Sequence, residues 1–237
     1  GLNVSYVYND EGLRTQKTVN GVTTEYYWNG SQLLGQKTGT SLLHFLYDER
    51  GLLVGFNDGT KTYLYTRNLQ GDIVSITDTA TEQTVATYTY DSWGNILTAT
   101  GAMANINPFR YRGYYFDTET GLYYLQSRYY DAEVGRFINA DAYVSTGQGM
   151  IGNNMYAYCG NGPVNRIDIT GAFFKEIGDW FSDAWDWTKQ AATDAWDWTK
   201  QAATDAWDWT AQAATDAWDW TKQAATDAWD WTKQAAT

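Results

Sequence analysis

The sequence predicts a mainly β protein, hairpins stacked into a curved sheet, followed by a long amphipathic α-helical tail. Residues 1–105 alternate short aromatic and β-branched runs with polar turns that close on glycine. From Asp183 onward an eleven-residue unit recurs five times with no Gly or Pro, and this predicts the tail. The chain thus divides into hairpins over 1–105, a tyrosine- and glycine-rich core segment over 106–171, a linker starting the helix over 172–182, and helical repeats over 183–237.

The hairpin signals come first. Ser5-Tyr6-Val7-Tyr8 runs into Asn9-Asp10-Glu11-Gly12, and His44-Phe45-Leu46-Tyr47 into Asp48-Glu49-Arg50-Gly51. Thr87-Tyr88-Thr89-Tyr90 runs into Asp91-Ser92-Trp93-Gly94, with Asn95-Ile96-Leu97 beginning the return, and Tyr65-Thr66-Arg67-Asn68-Leu69-Gln70-Gly71-Asp72 is a looser copy. Alternating aromatic and β-branched residues favour a pleated, half-buried strand. Asp or Asn opens the turn by bonding its own backbone, and Gly accepts the positive φ that closes it. A lone hairpin is marginal in water, so the units must join edge to edge. The turn glycines lie 39, 20 and 23 residues apart, which makes the repeat degenerate.

Composition narrows function. Lys plus Arg number 16 against 28 Asp plus Glu, a formal charge of −12. Such a chain has no electrostatic footprint for a nucleic-acid backbone, and anionic lipid repels it. One cysteine, Cys159, and one histidine, His44, allow neither an intrachain disulfide nor a multi-ligand thiolate or imidazole metal site. No cofactor is expected. There is no apolar run of the ~18 residues that would span a bilayer. The start at Gly1-Leu2-Asn3 carries no signal-peptide pattern and reads as part of a longer protein.

The Tyr-(Asn)-Asp-x-x-Gly units resemble the YD repeats of the RHS family, and the resemblance strengthens downstream. Asn107-Pro108-Phe109-Arg110-Tyr111-Arg112-Gly113-Tyr114-Tyr115-Phe116-Asp117-Thr118-Glu119-Thr120-Gly121 continues through Leu122-Tyr123-Tyr124-Leu125-Gln126-Ser127-Arg128-Tyr129-Tyr130-Asp131 to Gly135-Arg136-Phe137-Ile138-Asn139-Ala140-Asp141. This run is similar to the RHS-associated core, and Asn154 to Gly171 is similar to the segment that closes it. The resemblance implies a hollow β-shell wound from a spiral strip of hairpins, with the core capping one end. It makes Arg110, Tyr111, Gly113, Asp117, Gly121, Arg128, Tyr129, Tyr130, Asp131, Gly135, Arg136 and Asp141 structural positions of the core motif. It also implies a secreted or cell-surface bacterial setting, and a variable effector after the core in polymorphic toxins. A full shell needs far more hairpins, so an open partial sheet is expected here. Upstream shell residues or other copies of the chain would complete it.

The tail repeats Asp-Ala-Trp-Asp-Trp-Thr-Lys-Gln-Ala-Ala-Thr from 183, 194, 205, 216 and 227, changed only at Ala211. Eleven is odd, so a strand would swap faces at each repeat, whereas three helical turns hold register. The helix would carry Trp185, Trp187, Trp196, Trp198, Trp207, Trp209, Trp218, Trp220, Trp229 and Trp231 along one apolar face. At about 200 Å² each they would expose on the order of 2,000 Å², far above the roughly 300–600 Å² a monomer tolerates. Something must cover them: the helix itself, the shell, a membrane interface or a separate partner. Residues 183–237 hold 10 Asp and 4 Lys. That charge favours self- or shell-packing over lipid. The lead-in Phe173 to Phe181 is amphipathic and is expected to start the helix.

Candidate chemistry centres on Asp168. In RHS toxins a closing Pro-x-x-x-x-Asp-Pro-x-Gly precedes a self-cleavage point, and aspartates are implicated there as an acid pair. Pro163, Asp168 and Gly171 match that pattern, while Ile169 replaces the second proline. Two carboxylates sharing a proton can divide acid and base roles, with Asp141 or Asp131 as the second member. Against this stands a plain turn aspartate. Asp10, Asp48 and Asp91 read as turn-formers. Asp117 with Glu119 reads as solvating the turn before Gly121, ahead of a carboxylate pair or Ca²⁺ ligands. Arg110, Arg112, Arg128 and Arg136 are expected on rings or Asp rather than phosphate. His44 and Cys159 read as ordinary residues, and Gly147 to Gly152 matches a dinucleotide loop by pattern alone.

Three functions rank in order. The first is a structural module that encloses or displays the C-terminal segment. Next comes a toxin whose Trp-rich helix acts on membranes, with an immunity protein as its expected partner. Last is an aspartic protease acting only in cis near Gly171, through Asp168 and Asp141.

Overall fold

The computed structural model describes residues 1–141, 154–168, 170–172 and 174–176, the last three as backbone. The expected helix over 183–237 with its ten tryptophans, and the loop 147–152, lie outside the described residues.

Ten antiparallel strands follow one another in chain order. They are β1 (Val4–Tyr8), β2 (Arg14–Val19), β3 (Val22–Asn29), β4 (Gln32–Thr38), β5 (Ser41–Tyr47), β6 (Leu53–Asn57), β7 (Thr62–Arg67), β8 (Ile73–Asp78), β9 (Thr84–Tyr90) and β10 (Ile96–Thr100). Among the described residues β1 and β10 each pair on one side only. A second sheet contains β11 (Tyr115–Asp117), β12 (Leu122–Tyr124), β13 (Tyr129–Asp131) and β14 (Arg136–Phe137). A two-stranded ladder joins β15 (Arg166–Asp168) to β16 (Phe174–Glu176).

A strict meander puts alternate turns on the same rim. Four of the turns that lead from an odd strand to an even one are built alike. Asn9, Asp48, Asn68 and Asp91 each accept two backbone N–H groups on one side-chain oxygen, from the second and the fourth residue on, at 2.8–3.1 Å. Gly12, Gly51, Gly71 and Gly94 close them at φ 78–96°, which a side chain would resist. Asp48 and Asp91 therefore act as the sequence indicates. In the first turn the cap is Asn9, not Asp10, because the bonding oxygen must come from the residue three before Gly12.

After all five odd-to-even turns, the four Asx-capped ones and the shorter turn between β3 and β4, the even strand bulges. Thr15, Leu34, Val54, Val74 and Leu97 are extra residues in the ladders β1·β2, β3·β4, β5·β6, β7·β8 and β9·β10. A bulge bends its strand and increases the local twist. It also diverts a carbonyl from the ladder, and a side chain of the next odd strand claims it. Trp28 Nε1 donates to Arg14 O, Tyr47 Oη to Leu33 O, Arg67 Nη2 to Leu53 O and Tyr90 Oη to Ile73 O, all at 2.8–2.9 Å. The residue before the turn is thus a staple between neighbouring hairpins.

One face of the sheet carries the core. Tyr26, Leu33, Leu43, Phe45, Phe56, Tyr63, Ile73, Ile76 and Tyr88 pack there against Met103, Ala104, Phe109, Tyr115, Tyr124 and Tyr129. A second cluster, with Tyr111, Tyr114, Tyr123, Tyr130, Phe137 and Tyr158, forms within the core segment. Its Cys159 is fully buried, whereas His44 is exposed on β5.

The lead-in expected to begin the tail helix instead supplies β16. Gly171, at φ +76°, turns the chain back so that Phe174–Glu176 pair with Arg166–Asp168, and a ready ladder outweighs helical patterning over three residues.

Asn9→Ala should cost about 1 kcal/mol through the lost cap, and Asp10→Ala less than about 0.5 kcal/mol, as read from urea midpoints of the full chain.

Candidate functional site

Two buried cations organise the core segment. The first is Arg14. In the other units the second residue after the turn glycine is Leu53, Ile73 or Ile96, so Arg14 puts a charge in an aliphatic slot. It is 1% exposed and Asp117 is wholly buried. Arg14 Nη1 and Nη2 meet Asp117 Oδ2 and Oδ1 at 2.5 and 3.1 Å. Lys17 Nζ reaches Asp117 at 2.7 Å and Glu119 at 2.6 Å. The rings of Tyr6, Tyr26, Tyr115, Tyr124 and Tyr129 surround the guanidinium at 4.4–5.9 Å. Burial works against both cations, yet Asp117 beside them holds Arg14 and Lys17 above their ordinary pKa.

This corrects the expectation for Asp117 and Glu119. They neither solvate the turn before Gly121 nor form a bare carboxylate pair, because two cations from β2 neutralise them. Arg14 and Lys17 escaped the sequence reading, although a charge in a slot otherwise filled by Leu or Ile was the available signal.

The second cation is Arg128, just before β13. Its Nη1 lies 3.0 Å from Asp141 Oδ2 and its Nη2 3.3 Å from Asp168 Oδ2. Its Nε donates to Gly171 O, and its guanidinium carbon stands 3.6 Å from the Phe137 ring centroid. Burial lowers the Arg128 pKa, opposed by the two carboxylates. Asp168 Oδ1 accepts Gly171 N at 2.7 Å, Tyr114 Oη accepts Asp168 N at 3.1 Å, and Ser127 Oγ donates to Thr170 O at 2.8 Å. Spacing left the partner of Asp168 open between Asp141 and Asp131. The fold brings Asp141 to the same guanidinium, whereas Asp131 caps its own turn through Glu133 N at 2.9 Å.

The remaining motif residues are structural in their contacts. Arg110 lies over Tyr88 and Phe116 at 5.3 and 4.8 Å. Arg112 is 3.6 Å from Asp72 and 5.1 Å from the Tyr111 ring. Arg136 is exposed on β14. Tyr129 meets Tyr8 Oη at 2.8 Å, and the Tyr130 ring lies tilted with its centroid 4.0 Å from that of Tyr158. Gly113, Gly121 and Gly135 all take positive φ, and a Cβ on Gly135 would lie 2.9 Å from the Trp93 ring. No cluster of His, Cys, Asp or Glu able to hold a metal occurs among the described residues.

Comparison with known proteins agrees with this architecture. A family model described as Teneurin YD-shell matches residues 2–164. The tRNA nuclease WapA of Bacillus subtilis is 38% identical over 173 residues, 70% of this chain and 7% of that protein. Toxin protein Tse5 of Pseudomonas aeruginosa is 44% identical over 64 residues, 27% of this chain and 5% of that protein. Among solved structures, a crystal structure of TcdB2-TccC3-Cdc42 matches with a TM-score of 0.57 at 21% identity, over 71% of this chain and 9% of that one. The chain spans less than a tenth of the length of each.

Asp117→Asn should destabilise the fold by about 3–5 kcal/mol, since it strands buried cations; calorimetry of the full chain reads the loss. An alkaline limit is also expected. Burial pushes the phenols of Tyr47, Tyr111 and Tyr124 up to about 12, against about 10 in an unfolded chain. Their raised values contribute stability that is whole below pH ~10 and lost as pH climbs through ~12. A buried share of the phenolate absorbance should therefore appear only when circular dichroism reports unfolding.

Proposed function

Because the chain belongs to the Teneurin YD-shell family and is an RHS/YD-repeat β module, we propose that it is a structural delivery element, holding a core segment against hairpins and presenting the residues beyond Gly171. The observation that carries this reading is the clamp on the exit. Arg128 binds Asp141, Asp168 and the Gly171 carbonyl together, so the chain leaves the core from a fixed point. The match to a tRNA nuclease and to toxin protein Tse5 supports a toxin relation and a secreted or cell-surface role. On this reading the module ends near residue 171 and the passenger is 183–237. The passenger packs on itself or on the shell, its net acidity disfavouring anionic lipid. Upstream shell residues complete the sheet.

A second reading rests on the convergence of Asp141 and Asp168 around residues 168–171. Two carboxylates gathered on one cation beside this segment support a cis-acting acid pair for cleavage near Gly171.

Two measurements decide. Full-length chain added to dye-loaded vesicles should release no dye. Release that disappears when the ten tail tryptophans become alanine would replace delivery with a membrane-active effector and bring in an immunity protein. Intact mass after long incubation should stay that of the whole chain. A product ending near Gly171, absent in Asp168→Asn, would establish the second reading.

A further inference from the structure

The sequence contains three Asn–Gly pairs, Asn20-Gly21, Asn29-Gly30 and Asn161-Gly162. Such a pair is chemically labile, because a glycine lets its own backbone nitrogen swing against the preceding carboxamide with no side chain in the way. The fold holds two of the three. Asn20 Oδ1 accepts Asn3 N at 3.0 Å, and Gly162 N donates to Cys159 O at 3.1 Å. Either bond must break before its pair can react.

Asn29 and Gly30 are held by neither kind of bond. Both are exposed in the turn between β3 and β4. Among the described residues the Asn29 carboxamide makes no hydrogen bond, and the Gly30 N–H has no acceptor. Asn29 is the last residue of its ladder, opposite Gln32, so rotating it disturbs a single pair. The space above Gly30 is open, with nothing within 4 Å of where a Cβ would stand.

We propose that Asn29-Gly30 is a self-modifying site, at which the folded chain converts a peptide bond to an isoaspartyl linkage with water as the only co-reactant. Gly30 N attacks Asn29 Cγ and forms a new C–N bond. The bond to the carboxamide nitrogen breaks, and ammonia leaves with the proton displaced from Gly30 N. Water then opens the five-membered imide at either carbonyl. One opening gives an ordinary aspartate; the other routes the main chain through Asn29 Cβ and Cγ and leaves a free α-carboxylate. No electrons are exchanged.

The linkage lengthens a turn that has no slack. Only Gly30 and Ser31 separate the paired residues Asn29 and Gln32, and in so short a hairpin the turn sets the register. Ser31 O also accepts Gln126 Nε2 at 2.9 Å, so this turn is a point where the sheet holds the core segment. An extra main-chain carbon moves that carbonyl. Modification therefore loosens the core segment from the sheet as the chain ages, whatever lies beyond Gly171.

Full-length chain kept in mildly alkaline buffer should gain the mass of an amide-to-acid exchange, and peptide mapping should confine the gain to Asn29. The same peptide should take methyl label from an isoaspartyl methyltransferase. Chain unfolded in urea should react at Asn20, Asn29 and Asn161 at comparable rates, because the fold no longer protects two of them. Asn29→Gln, whose longer arm closes the ring poorly, should lose the folded-state gain. The modified fraction, separated by ion exchange, should melt below the unmodified chain, and in Gln126→Ala that difference should shrink. Reaction at Asn20 or Asn161 as early as at Asn29 in the folded chain, a folded chain that never gains mass, or a modified fraction that melts with the unmodified one would each overturn the proposal.

Discussion

Everything in the hairpin sheet depends on a carbonyl that its own ladder cannot satisfy. An Asx-capped turn brings the chain back tightly, the returning strand bulges, and the bulge diverts one C=O. Left unpaired in a half-buried sheet, that group would cost about 1–3 kcal/mol. A donor from the next hairpin removes the cost and ties two units that share no turn. Hairpin order, strand register and bending therefore have one origin.

The ion pairs serve a different purpose. Burying Arg14 and Asp117 costs desolvation that close contact largely offsets, so the pair adds modest net stability. Its value lies in position. A guanidinium in an aliphatic slot of β2 can be satisfied only if the end of β11 arrives there, and five tyrosine rings exclude water from the meeting. The apolar packing of Phe45, Phe56 and Phe109 would tolerate small slips, whereas the ion pair would not. Arg128 repeats the logic at the exit, where one cation gathers a loop residue, a strand end and a backbone carbonyl.

Much of this is legible in the sequence. Alternation and turn glycines mark the hairpins. The long match from Asn107 to Asp141 locates the core segment. Other features are hidden for physical reasons. Bulges leave almost no trace in composition, because Thr15, Val54 and Leu97 are ordinary strand residues. The cap at Asn9 is masked by Asp10 because both are good turn residues, and only the hydrogen bonds choose between them. Asp117 looks solvated because its cations lie a hundred residues away, beyond the reach of any local pattern. β16 reads as a helix start because three amphipathic residues do not distinguish the two periods. Asp168 stands out by its motif, but its companion depends on a fold-level convergence.

Arg67 carries one further lesson. It stands where Tyr47 and Tyr90 stand, before the same kind of turn, and it reaches the same kind of carbonyl; Trp28 does so with an indole. The rule at this position is an N–H or O–H at the end of a long, flat side chain, whatever the letter. Searches keyed to tyrosine will undercount the units in such proteins. A profile that treats Tyr and Arg as synonyms before an Asx-x-x-Gly turn, and admits Trp before the shorter Asn29-Gly30 turn, would recover the missing ones.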